Sequence, residues 1–214
     1  MIVETSAANG HSLERKHLIA VTTGVLSFWT AMVVALAIQG VFDFPPGAPP
    51  IATILAVVIP IAAFATIVTV FPGMRASLLS LDPVLLTEFQ AWRILGGLFL
   101  AVYAFGHLPG LFAWPAGIGD VAVGVTAPFI AWRLRKEPEF ITSPKFRVFQ
   151  YAGLLDFVIA ISMGVIARNE ISGLVGDVTS APMGEIPLVL IPTLVVPMFI
   201  ILHLIALMQS RTAR

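Results

Sequence analysis

The chain contains no cysteine. Disulfides, thiolate metal sites, iron–sulfur clusters and a catalytic thiol are therefore excluded together. Charge is scarce too: 11% of the 214 residues are charged, against about 25% in an ordinary soluble domain. The 12 Lys and Arg balance the 12 Asp and Glu, so no basic excess points to nucleic acid. Strands of alternating polarity, as in a membrane barrel, are missing. So are the H-E-x-x-H, G-x-S-x-G and P-loop motifs. Gly117-Ile118-Gly119 is too short for a dinucleotide fingerprint, and no carboxylate-rich metal cluster stands out. A bis-histidine haem needs facing histidines at one depth; only His17 and His203 come near, and His17 is interfacial. No cofactor is expected.

What the chain has in quantity is apolar length. Hydrophobic residues make up 58% of it, and the mean hydropathy is +0.96. A bilayer-crossing helix needs about 20 mostly apolar residues. The stretches His17–Gln39, Ile51–Phe71, Gln90–Leu108, Ala116–Leu134, Val148–Ala167 and Leu188–Met208 meet that length. Backbone amides in lipid must be satisfied within the segment, which selects helices. The expected fold is an all-α, polytopic bundle of six transmembrane helices over 17–209, with short tails at 1–16 and 210–214. Arg15-Lys16 and the A-x-A-like Ala35-Leu36-Ala37 also suit a signal peptide. The apolar run exceeds the usual core of about 7–15 residues, which favours a retained helix.

Lys and Arg in the short loops set the orientation. With the N-terminus inside, the inner side holds Arg15, Lys16, Arg75, Arg133, Arg135, Lys136, Lys145, Arg147, Arg211 and Arg214. The outer side holds only Arg168, and Arg93 lies at a span edge. Both termini are thus expected in the cytoplasm, with outer loops near 41–50, 109–115 and 168–187. Asp82-Pro83 reads as an N-cap with a first-turn proline, opening a short interfacial helix before the third span.

Gly40-Val-Phe-Asp-Phe-Pro-Pro-Gly47 returns as Gly110-Leu-Phe-Ala-Trp-Pro-Ala-Gly117. Mid-helix prolines recur at Pro60, Pro128, Pro192 and Pro197, all in even-numbered spans. Both patterns suit three helical hairpins, each crossing out and back. Any six-helix chain with short Gly-Pro turns would show a similar period.

A charge inside the bilayer costs at least about 2.5–3.5 kcal/mol, so it usually faces the bundle interior with a partner. Arg93 shares its helical face with Gly96, Gly97, Ala101 and Ala104. Asp120 shares one with Ala116, Gly117, Gly124, Ala127 and Ala131, and Asp156 with Ala152, Gly153, Ala160 and Gly164. Small residues mark contact faces between membrane helices, so the three charges should point inward. Asp156 lies roughly 12 Å from the inner end of its span, and His203 roughly 8 Å, at the usual helical rise. With Arg93 they could share an inner-leaflet pocket, Gln90 and Gln150 at its mouth; Asp120 should sit nearer the outer face. Leu100 should face lipid. Against this stand bland readings. Arg93 could snorkel, Asp120 could complement a helix dipole, Asp156 with Arg93 could be a structural pair, and His203 a packed histidine.

Spans three and four read Arg93-Ile-Leu-Gly-Gly-Leu-Phe-Leu, then Leu108-Pro-Gly-Leu-Phe-Ala-Trp-Pro-Ala-Gly-Ile-Gly-Asp120, then Gly124-Val-Thr-Ala-Pro128. This resembles a group of bacterial multi-pass inner-membrane proteins with no assigned function. The resemblance implies a bacterial cytoplasmic membrane and assigns no role to any residue. The candidate solute- or ion-binding residues are therefore Arg93, Asp120, Asp156, His203, Gln90 and Gln150, in a small-solute or ion transporter or channel-like protein. The competing reading is a structural, sensory or assembly subunit. An intramembrane redox or lipid-modifying enzyme has only His203 and the carboxylates behind it. Expected partners are the lipid bilayer, a small solute or ion and a second copy in a homo-oligomer, with nucleic acid excluded.

Overall fold

A computed structural model describes residues 2–44, 48–168 and 177–213, with side-chain surroundings from residue 20 onward. Gly47, Glu170 and Arg214, and the surroundings of Arg15 and Lys16, lie outside the described residues. Among the described residues there is no strand. Six helical segments are long and apolar enough to cross a membrane: Ala20–Ile38, Ile51–Val70, Pro83–Ala104, Gly110–Lys136, Pro144–Ile166 and Ile191–Thr212. The protein is all-helical, with the apolar helices of a multi-pass membrane protein.

Helix α1 runs Ile2–Ile38 and ends at Gly40, whose φ of 70° is open to glycine without a Cβ penalty. Helix α2 spans Ile51–Val70 and α3 spans Pro72–Leu79. Asp82 caps α4 (Pro83–Phe89), its side chain accepting from the Val84 amide at 2.8 Å. The cap and the first-turn proline are as expected. The helix they open is not a separate interfacial one, however. It continues as a 3-10 helix over Gln90–Gly97 and then as α5 (Leu98–Ala104), so the third span starts at Pro83 rather than Gln90.

Helix α6 runs Gly110–Lys136. It begins well before Ala116, because Pro109 occupies the N-cap, and a proline at a helix start gives up no intrahelical hydrogen bond. The expected loop at 109–115 is thus helical. The two parts of the apparent repeat differ accordingly. Gly40-Val41-Phe42 forms a turn, whereas Gly110–Gly117 forms the first two turns of α6. Helix α7 (Pro144–Ile166) is capped by Ser143, which accepts from the Phe146 amide at 3.1 Å. The last span opens with a π-helical turn, Ile191–Val195, and continues as α8 (Val196–Thr212).

Helix α6 is the hub, packed against the whole third span and α7, while α8 packs on α2, α4 and α7. Among the described residues α1 is peripheral, its main helix contact being the π turn, where Val33 and Phe42 bury Val189. Two ends of the bundle are tied by polar contacts. At one, the Gln209 amide donates to the carbonyls of Leu79 (3.2 Å) and Leu81 (2.7 Å). At the other, Arg168 donates to the Phe44 carbonyl at 2.7 Å and Ser180 to the Gly164 carbonyl at 2.6 Å. Between these ends the outer surface carries Phe28, Leu98, Phe105, Phe129, Val148 and Val158 exposed, as suits a surface solvated by acyl chains.

Candidate functional site

The third span presents its polar residues through tight winding. In a 3-10 helix residues three apart eclipse one another, so Gln90, Arg93 and Gly96 form one row. Trp92, Ile94 and Leu95 stay exposed to the outside while Gln90 and Arg93 are buried. Arg93 Nε donates to Asp120 Oδ1 at 2.7 Å, and Nη2 donates to Asp156 Oδ2. Nη1 faces the Gly153 carbonyl and His203 Nε2, each at 3.2 Å. The guanidinium carbon lies 3.9 Å from the Phe157 ring centroid. One arginine thus joins the third span to α6, α7 and α8.

The tautomer of His203 follows from these contacts. An arginine can only donate, so Nε2 accepts and the ring proton sits on Nδ1. That N–H donates to the Gln150 side-chain oxygen at 2.5 Å. Among the described residues the buried Gln150 amide nitrogen has no partner, and neither has the Gln90 side-chain oxygen. The Gln90 amide nitrogen donates to the Phe199 carbonyl at 3.3 Å, one turn before His203.

Glycines make room for this cluster. A Cβ at Gly96 would overlap the Asp120 carboxyl at 2.3 Å, and one at Gly119 would overlap Asp156 Oδ1 at 1.6 Å. At Gly153 a Cβ would meet His203 at 2.3 Å, and at Gly124 the Ile94 backbone nitrogen at 2.4 Å. The small-residue faces read from the sequence therefore hold the charged groups as well as the helix contacts.

All six candidate residues fall in this region, but not at the expected depths. Arg93 lies mid-span, because its span begins at Pro83. Asp120 stands ten positions into α6 rather than at an outer turn, and it shares Arg93 with Asp156. Gln90 and Gln150 are buried in the wall and not at a mouth. Ala101, Ala104 and Ala152 are exposed. Leu100 does not simply face lipid: a Cβ at Gly117 would come within 2.8 Å of it. Phe157 was not singled out by sequence, since nothing distinguishes it from other phenylalanines except its place beside Asp156.

Arg93 supplies one positive charge, and Asp120 and Asp156 supply two carboxyls. Each carboxyl uses one oxygen on Arg93 and leaves Asp120 Oδ2 and Asp156 Oδ1 without a partner among the described residues. Two cavities reach the cluster. One, of about 100 Å³, lies towards Arg168 and Ser180 and is lined by Phe112, Ala160 and Gly164. The other, of about 760 Å³, is a cleft between the third span and the last. The two share Phe99, Asp120, Phe157, Ile191 and Val196, so Asp120 stands at their junction. Beyond the spans, Arg168 lies over the Phe44 ring at 5.8 Å. Burial lowers its pKa from the ordinary arginine value, and nearby Asp43 acts in the opposite sense.

The sequence profile of a domain of unknown function, DUF8737, matches residues 49–211. The chain belongs to this family. The DUF8737 match takes in every residue of the Arg93 cluster and leaves out α1. It agrees with the resemblance to a group of proteins with no assigned function. No curated protein and no solved structure matches the chain.

Proposed function

We propose that this protein moves a small solute or ion across a cytoplasmic membrane, with Asp120, Asp156 and Arg93 as its polar site. The observation that carries the reading is the surplus carboxyl. With both aspartates ionised, the cluster is one negative charge in excess, inside a span where charge is costly. A proton or a monovalent cation removes that excess. Asp120, where the two cavities meet, is the carboxyl a mobile ion reaches first. The π turn and the paired prolines of the last span add to the reading, since broken helices line binding sites in transporters and π turns often mark functional sites. The excess of Lys and Arg in the loops near Arg75, Arg133 to Lys136, and Lys145 to Arg147 supports a cytoplasmic location for that end and for both termini.

The test is flux. Purified protein in vesicles with a pH-sensitive dye inside is given a potassium diffusion potential. Proton or alkali-cation movement above protein-free vesicles, lost in Asp120→Asn, is the expected result. Flux equal to empty vesicles for every cation tried sinks the proposal. The structural reading has one observation in its favour: Arg93 makes four polar contacts, as a purely architectural arginine would. It expects Asp120→Asn to alter stability and no transport.

A further inference from the structure

The cleft between the third span and the last is apolar along its length, with a charged floor. Its walls carry Trp92, Leu98 and Phe105 from one side and Leu188, Val195 and Met198 from the other. Trp92, Leu98 and Phe105 are strongly exposed, so the cleft opens sideways, where the bilayer lies, rather than along the bundle axis. At its floor stand Arg93 and Asp120. The donors of Arg93 face Asp120, Asp156, Gly153 and His203, and its flat face lies on Phe157. Its charge is directed away from an incoming ligand. Asp120 is different: its Oδ2 has no partner among the described residues, and its side chain is 16% exposed. A ligand that fills the walls and meets the floor is therefore an amphipathic one whose polar end is positive.

From this juxtaposition of an apolar lateral cleft and an unsatisfied carboxylate oxygen, we infer that the cleft binds lipophilic cations that enter from the membrane, their charge held by Asp120. Anionic lipid headgroups are disfavoured by the same surplus carboxyl. The inference rests on the transport reading for its purpose, but binding is measured separately from flux.

The probe is tetraphenylphosphonium, with tetraphenylborate as an anion of the same shape. Full-length protein in phosphatidylcholine nanodiscs is assayed by equilibrium dialysis against labelled probe, with empty nanodiscs as background. Saturable, near-stoichiometric phosphonium binding is expected, with borate weaker by about tenfold or more, the worth of one charge-assisted contact. Asp120→Asn should reduce phosphonium affinity by a similar factor. It should stay folded, because Arg93 keeps Asp156 as its partner. Val195→Trp, which fills the cleft and leaves the carboxylates alone, should also abolish binding. Uptake no greater than in empty nanodiscs, equal binding of phosphonium and borate, or full affinity in Asp120→Asn would each overturn the inference. Phosphonium binding without any flux would instead leave the cleft assignment standing and remove the transport reading. Cation flux without phosphonium binding would do the reverse.

Discussion

Beyond its own helix backbone, a methyl group added at Gly24 of α1 would meet nothing within 4 Å among the described residues, whereas one added at Gly124 of α6 would come within 2.4 Å of the Ile94 backbone nitrogen. The two glycines sit in helices of comparable apolar character. What separates them is packing. Only 6% of the apolar window of α1 is buried inside the protein, against 39% for α6. Lipid solvates α1; other helices solvate α6. The family match begins at residue 49, past α1. Hydropathy thus reports which segments can cross a membrane but is nearly blind to which of them build the site.

The largest expected effect tests the charged centre of the packed region. Arg93→Gln leaves half-buried Asp120 and buried Asp156 side by side with no cation, and removing one partner of a buried pair costs about 3–5 kcal/mol. Asp156→Asn is different, because Arg93 then keeps Asp120 and the surplus charge is gone. It should shift thermal stability little. The triple change Arg93→Gln, Asp120→Asn, Asp156→Asn should regain much of the loss. Detergent-solubilised melting curves for the set measure this. Equal losses for Arg93→Gln and Asp156→Asn would mean that Arg93 does not serve both carboxyls.

A smaller effect separates the two regions directly. Gly124→Ala should destabilise by about 1–3 kcal/mol, since the new methyl meets backbone that cannot rotate away. Gly24→Ala should not destabilise, since alanine in an open mid-helix position gains about 0.5–1 kcal/mol of helix propensity over glycine. Similar melting shifts for both would erase the distinction between a packed centre and a lipid-solvated edge.

Removing residues 1–38 asks whether the edge is needed at all. The loss uncovers Phe42 and Val189, which α1 helps to bury. Among the described residues of α1, none lines the cleft or bonds to Arg93. The shortened chain should melt a few degrees lower and keep its phosphonium binding. Loss of the folded state would show that α1 supports the last span through the π turn more than its sparse contacts suggest.

Which parts of the site could be read from the sequence follows the same division. The six spans were legible because apolar length is a property of composition. The convergence of Arg93, Asp120 and Asp156 was legible because each shares a face with glycines, and close approach in a membrane needs small residues. Their depths were not. Eight residues over Gln90–Gly97 wind as a 3-10 helix, which rises about 2.0 Å per residue instead of about 1.5 Å. That tightening turns Ala101 and Ala104 away from the row that holds Arg93. The start of the fourth span was hidden behind prolines and glycines whose composition suggests a loop, while the start of the third was legible at Asp82-Pro83 but read as a separate short helix. Phe157 under the guanidinium had no signal of its own.

The smallest perturbation leaves stability untouched and asks whether edge and centre are inserted in the same sense. The chain has no cysteine, so single cysteines report without background. Asp43 follows α1, His107 follows α5, and Glu137 follows α6; all three are exposed. Asp43 sits near Arg168, at the same end of the bundle as the link to Phe44. If the loop charges orient the chain, Asp43→Cys and His107→Cys react with an impermeant thiol reagent on intact cells. Glu137→Cys reacts only once the cells are opened. Reversal at all three positions would overturn the orientation while leaving the fold alone. Labelling of Asp43→Cys from the side opposite His107→Cys would be more damaging. It would place α1 and α2 in a different sense from the four spans that hold Arg93 and its partners. The Arg168–Phe44 link, which ties the edge to the centre, could not then exist.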